Sequence, residues 1–152
     1  MNNFGELGCK SLGSFVWSIH FLLFSFVISI LDIRDHRIRK WHVYLGLLTL
    51  APLYEVKTLI AIAINYFLYA VIFIISRKSL GFGDVRLSLL VGAYIGLWSI
   101  APISIVLSNA YAWSTAMILV VGRWLIDRKS INTRVAFAPH MFFGAALAAL
   151  WH

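Results

Sequence analysis

Charge is what this chain has least of. Only 12% of its 152 residues are charged and just six are acidic, against roughly 25% charged in an ordinary soluble domain. With 61% of the chain hydrophobic, a soluble core could not hide so much apolar surface behind so few polar residues. A water-soluble globular enzyme is thereby excluded, and the bilayer must supply the missing interior. Cysteine is almost absent too. Cys9 stands alone, which excludes an intrachain disulfide and any four-cysteine zinc site. There is no internal repeat and no low-complexity tail. At this length a single domain over residues 1–152 is expected.

What the chain has instead is long uncharged windows. They run over Ser11–Leu31 (21 residues), Thr58–Ser76 (19), Leu87–Gly122 (36) and Val135–His152 (18), with a shorter one at His42–Tyr54 (13). A crossing helix needs roughly 20 residues, which the first two windows supply. The first has no small-residue cleavage site after it and reads as a retained helix. The third would make a helix of about 54 Å, far beyond a hydrocarbon core of about 30 Å, so it should be two helices. Pro102, which lacks the amide donor and crowds the preceding turn, places the break near Trp98–Pro102. His42–Tyr54 reaches crossing length only if Glu55 and Lys57 snorkel to the interface. The expected architecture is therefore all-α and polytopic, with about six transmembrane helices near 11–31, 41–56, 57–76, 84–99, 101–122 and 135–151.

The net charge of +7 would invite a nucleic-acid partner in a soluble protein, but here the charges fall in short bursts between apolar runs. Topology explains them better. With the N-terminus outside, the inside segments collect Arg34, Arg37, Arg39, Lys40, Arg77, Lys78, Arg86, Arg123, Arg128, Lys129 and Arg134, and the outside keeps Lys10 and Lys57. That bias, 11 against 2, is the one the positive-inside rule asks for. The expected partner is thus the lipid bilayer and not nucleic acid.

Six acids can be weighed singly. Glu6 and Glu55 fall outside and Asp127 falls in a basic loop, where each reads as solvated charge. Asp32 and Asp84 differ, because one ends the first helix and the other opens the fourth, on the same side of the membrane. Before Asp84 stand Gly81 and Gly83, which let the backbone take positive φ or approach a neighbour closely, and the acid itself can cap the new helix. Two carboxyls sharing one proton can activate water and protonate a leaving amine. Taken singly, Asp84 is also an ordinary cap and Asp32 a partner for Arg34, and physics alone leaves both readings open. Ionisable groups at membrane depth are functional by default.

The run Gly81-Phe82-Gly83-Asp84-Val85-Arg86-Leu87 closely resembles the GxGD motif of type IV prepilin peptidases. Leu31-Asp32, with Ile38 six positions after the acid, resembles the family's first aspartate motif, and Phe137-Ala138-Pro139 with Gly144 is similar to its last helix. The resemblance spans nearly the whole chain. Presenilin-like proteases carry GxGD as well, but pair it with a Tyr-Asp dipeptide that this chain lacks. Departures are Arg39-Lys40 where the family has Pro-Asn, Arg86 where it has Lys, and Ala136 where it has Pro. These bear on substrate preference more than on chemistry.

What the resemblance implies is an aspartic endopeptidase of the bacterial inner membrane. Its substrate would be a prepilin or pseudopilin whose short basic leader is removed at the cytoplasmic face. Asp32 and Asp84 would be catalytic, Gly81, Gly83 and Arg86 would support the motif, and no metal or other cofactor would be needed. Larger members add a segment with paired cysteines associated with zinc and N-methylation, and with Cys9 alone methylation is not expected. From helix dipoles, Asp84 at a helix N-terminus is expected to be the base and Asp32 at a helix C-terminus the acid. His20, Asn65, Ser108, Asn109, Ser114, Thr115 and His140 are expected to bond between helices. Trp17, Trp41, Trp98, Trp113, Trp124 and Trp151 read as interfacial anchors. The competing class is a membrane assembly subunit or small transporter whose aspartates lock helices by pairing with arginines.

Overall fold

The computed structural model describes residues 3–76, 80–98, 102–126 and 135–150, with side chains from Phe15 onward. Arg77, Lys78, Asp127, Arg128, Lys129, Arg134 and Trp151 lie outside the described residues, as do the side chains of Glu6, Cys9 and Lys10. Among the described residues there are six α-helices: α1 Asn3–Asp35, α2 Lys40–Leu50, α3 Val56–Ile75, α4 Phe82–Trp98, α5 Pro102–Ile126 and α6 Ala138–Ala149. Three are long and apolar enough to cross a membrane, over Phe15–Asp35 (21 residues), Val56–Ile75 (20) and Pro102–Ile126 (25). They mark the chain as a multi-pass membrane protein.

Helix ends depart from the charge windows where backbone chemistry overrides side-chain charge. α1 runs to Asp35, past Leu31, and closes with the His36 amide on the Asp32 carbonyl (2.9 Å). His36 then turns the chain at φ 47°, a left-handed value that stops a helix. α2 stops at Leu50 and not at residue 56, because Pro52 forces the chain into the 3-10 turn Ala51–Leu53. The break around Pro102 falls where the proline predicts it, with α4 ending at Trp98 and α5 opening on Pro102. α6 starts at Ala138, three residues later than expected, with Pro139 in its first turn, where a missing amide hydrogen is harmless.

Burial is inverted relative to a soluble protein. Phe26, Phe67 and Ile118 are 69, 67 and 71% exposed on the outer faces, whereas Asp32, Asn65 and Ser88 are 5, 0 and 0% exposed inside. α4 is the central element, buried from Leu90 to Gly96 without interruption and packed against α2, α3, α5 and α6. Side-chain pairings give the helix directions. Phe73 meets Phe82, Asn65 bonds Ser88 and Thr58 reaches Gly96, so α3 and α4 are antiparallel. His140 bonds Thr115 while Gly144 lies on Ser108 and Ala112, so α5 and α6 are antiparallel. Asn65 with Asn109 and Tyr69 with Trp113 make α3 and α5 parallel. Trp17 with Trp98 and His20 with Thr49 set α1 against both α4 and α2. The odd-numbered helices thus run one way and the even-numbered ones the other.

Small residues let the backbones approach. A Cβ on Gly96 would fall 2.7 Å from the Thr58 Cα, and one on Gly92 would fall 2.9 Å from the Ile62 Cα. Gly92 and Gly96 thus form a GxxxG face against α3, the packing mode of helices that have no hydrophobic drive to associate in lipid. Polar side chains then tie the helices. Asn65 Nδ2 donates to the Ser88 carbonyl at 2.8 Å and Asn109 Nδ2 to Asn65 Oδ1 at 2.9 Å. His20 bridges Tyr94 and Thr49 at 2.7 Å each.

Candidate active site

The C-terminal end of α1 and the N-terminal ends of α4 and α6 meet at one end of the bundle. Asp32 lies in the last turn of α1, and its side chain does not turn toward Arg34. Its Oδ2 accepts the Ala138 amide at 2.9 Å. Phe137 is the residue that caps α6 and Pro139 follows in its first turn. One of the free amides that a helix start leaves over is therefore spent on that carboxylate, and Pro139 has none to offer.

Asp84 is the third residue of α4, inside its first turn and not at the cap. Its amide bonds the Gly81 carbonyl at 3.0 Å, and its carboxyl lies back against Gly81. Neither motif glycine takes positive φ, so their value is close approach. A Cβ on Gly81 would stand 3.0 Å from Asp84 Oδ2, and one on Gly83 would stand 3.1 Å from the Ile38 Cβ. Ile38, the residue after the turn at His36, thereby ties the first aspartate's loop to the second aspartate's helix.

The two carboxyls are near enough for Asp84 to sense the charge of Asp32. Neither makes an ion pair with lysine or arginine among the described residues, where the salt bridges are Arg39 with Asp35 at 4.0 Å and Lys57 with Glu55 at 2.9 Å, both exposed. Arg86 lies over the Phe82 ring at 4.5 Å, a cation–π contact that keeps its charge in the first turn of α4. The dipole distinction expected from sequence is overturned. Asp32 is at the C-terminal end of its own helix, but its carboxyl sits on an N-terminal amide of α6, so both acids face helix N-termini and the pair has to be treated as one titrating unit.

Sequence reasoning missed the residues that build the walls. Tyr69 is fully buried, its ring 6.3 Å from Phe137 and 6.5 Å from Trp113. Trp113, expected to anchor at an interface, lies in the middle of α5 and packs on Phe137 at 5.0 Å. The signal for Tyr69 was the stripe Thr58, Ala61, Asn65, Tyr69 at helical spacing, which is the buried face of α3. Behind the Asp32 clamp a cavity of about 570 Å³ is lined by Ile33, His36, Arg123, Ala136, Pro139 and His140. Among the described residues no group of three or more His, Cys, Asp or Glu could hold a metal ion.

Among known proteins, no family model matches the chain, and neither a curated protein nor a solved structure matches it significantly. Fold and geometry therefore stand on their own.

Proposed function

We propose that the chain is a membrane aspartyl endopeptidase of the prepilin-peptidase type, which removes the short basic leader of a prepilin or pseudopilin at the cytoplasmic face of a bacterial inner membrane. The observation that carries this reading is the pairing of Asp32 and Asp84. Two acids far apart in sequence are brought within electrostatic reach at one end of the bundle, Asp32 held by the Ala138 amide and neither ion-paired with a lysine or arginine among the described residues. Helix-locking aspartates would show such ion pairs, so this geometry favours chemistry over the assembly-subunit reading.

Six crossings with the N-terminus outside complete the proposal. Because α1, α3 and α5 run in the same direction, the chain has to return between them, and α2 and α4 are the segments that do so. At about 1.5 Å per residue, the 17 residues of α4 extend about 26 Å, close to the hydrocarbon thickness. The shorter α2 packs on α1 and α4, and α6 packs on α1, α4 and α5. The aspartates then stand near the cytoplasmic face, beside Arg34, Arg37, Arg39 and Lys40.

In the reaction, one carboxylate takes a proton from water as its oxygen attacks the scissile carbonyl carbon. The protonated partner gives its proton to the carbonyl oxygen, and collapse of that diol breaks the C–N bond while the amine takes up the proton held by the first carboxyl and one hydroxyl returns its proton to the partner. Co-expression with candidate precursors, comparing the parent with Asp32→Asn and Asp84→Asn, tests the assignment. Each substitution should abolish leader removal with membrane insertion unchanged, and full processing by either variant refutes it.

A further inference from the structure

The register of α3 on α4 puts one more functional group into this site. With Phe73 against Phe82 at one turn and Asn65 bonded to Ser88 two turns away, the residue of α3 that falls opposite Asp84 and Val85 is Tyr69. Its side chain is 0% exposed. The Trp113 indole lies within reach of its oxygen, but no group meets the distance and angle of a hydrogen bond, and the hydroxyl is left without a partner. A buried donor with no acceptor is destabilising and calls for an explanation. Phenylalanine would fill the same space without that penalty.

Two further contacts fix where the hydroxyl acts. The Asp84 charge is felt at it, and the ring packs on Phe137, next to Ala138, whose amide holds Asp32. Tyr69 thus touches the support of one aspartate and faces the other.

We infer that Tyr69 is a third catalytic residue, whose hydroxyl donates a hydrogen bond to the scissile carbonyl oxygen as that oxygen takes up charge. The inference rests on the endopeptidase reading above and deepens it. Tyr69 keeps its proton throughout, because the proton from water goes to one aspartate and the carbonyl oxygen receives its proton from the other. The hydroxyl supplies only a fixed dipole, in the manner of an oxyanion-hole donor. Its hydrogen is left unclaimed in the free protein because the acceptor is the substrate.

The test uses the full chain purified in detergent micelles and the precursor whose leader the parent removes. Tyr69→Phe should lower kcat about 100-fold with KM within about twofold, while the thermal midpoint stays level or rises because the unpaired hydroxyl is gone. Tyr69→Leu, which also loses the ring, should lower both kcat and the midpoint. An unchanged kcat in Tyr69→Phe overturns the inference, and so does a loss of activity that follows a loss of thermal stability. Asp32→Asn, run in parallel, separates the two levels. If it is inactive while Tyr69→Phe cuts at the parental rate, only the role of Tyr69 falls; if it cuts normally, the endopeptidase reading falls with it.

Discussion

Replacing Gly144 by alanine perturbs the site from its back. A Cβ there would overlap the Ser108 carbonyl oxygen and stand 2.9 Å from the Ala112 amide nitrogen. Both obstacles are backbone atoms of α5, which cannot rotate away, so α6 has to retreat by about an ångström to restore normal contact. Overpacking of this kind costs about 1–3 kcal/mol, and replacing a helical glycine with alanine returns about 1 kcal/mol. The net expectation is a loss of up to about 2 kcal/mol. Because α6 also carries the Ala138 amide that holds Asp32, its retreat should slow leader removal about 10- to 100-fold, the scale of a one-ångström misplacement. Gly122→Ala is the internal control. Nothing lies within 4 Å of that position, so the same change there should be neutral or stabilise by up to about 1 kcal/mol and leave the rate alone. Unfolding midpoints in mixed detergent micelles, read beside cleavage rates, measure both. If Gly144→Ala proves as stable as Gly122→Ala, the close packing of α5 on α6 is refuted.

Other substitutions probe the clamp, the motif and the polar ties. Asp32→Ala removes the acceptor of the buried Ala138 amide, worth about 1–3 kcal/mol when left unpaired, and should be less stable than Asp32→Asn by at least about 1 kcal/mol in the same unfolding assay; equal stabilities would contradict the clamp. Gly81→Ala should displace the Asp84 carboxyl, since the new methyl would stand 3.0 Å from Oδ2, and so reduce the cleavage rate at least about tenfold, a loss expected when a reacting group is shifted by a fraction of an ångström, while the unfolding midpoint holds. Asn65→Leu breaks the bonds to Ser88 and Asn109 and should destabilise by only about 1 kcal/mol, the usual scale of such bonds in membranes.

Much of the architecture was written in hydropathy and charge. The break at Pro102, the extent of the third helix and the placing of Asp32 and Asp84 at one end all follow from where apolar runs stop and arginines begin. Charge windows could not give helix ends, because a backbone ladder does not end at an arginine. α1 therefore continues to Asp35 and α5 to Ile126, while α2 ends early because Pro52 intervenes. The environment of Asp32 was beyond sequence reasoning altogether. Its hydrogen-bond partner, Ala138, lies more than a hundred positions away, and only the packing of α1 on α6 reveals that a residue ending one helix feels the start of another. Tyr69 was hidden for a similar reason. Its stripe on α3 is visible as a small and polar face, but its level opposite Asp84 depends on the glycines of α4 that set the helix register.

The central claim is that Asp32 and Asp84 act together on a peptide bond. The most direct measurement is single-turnover cleavage of a purified precursor by the parent, Asp32→Asn and Asp84→Asn, each shown to keep the parental unfolding midpoint. The account predicts cleavage at one bond, just before the apolar helix of the precursor, by the parent only, with no detectable product from either variant. Cleavage by either single variant at a rate near the parental one would contradict it.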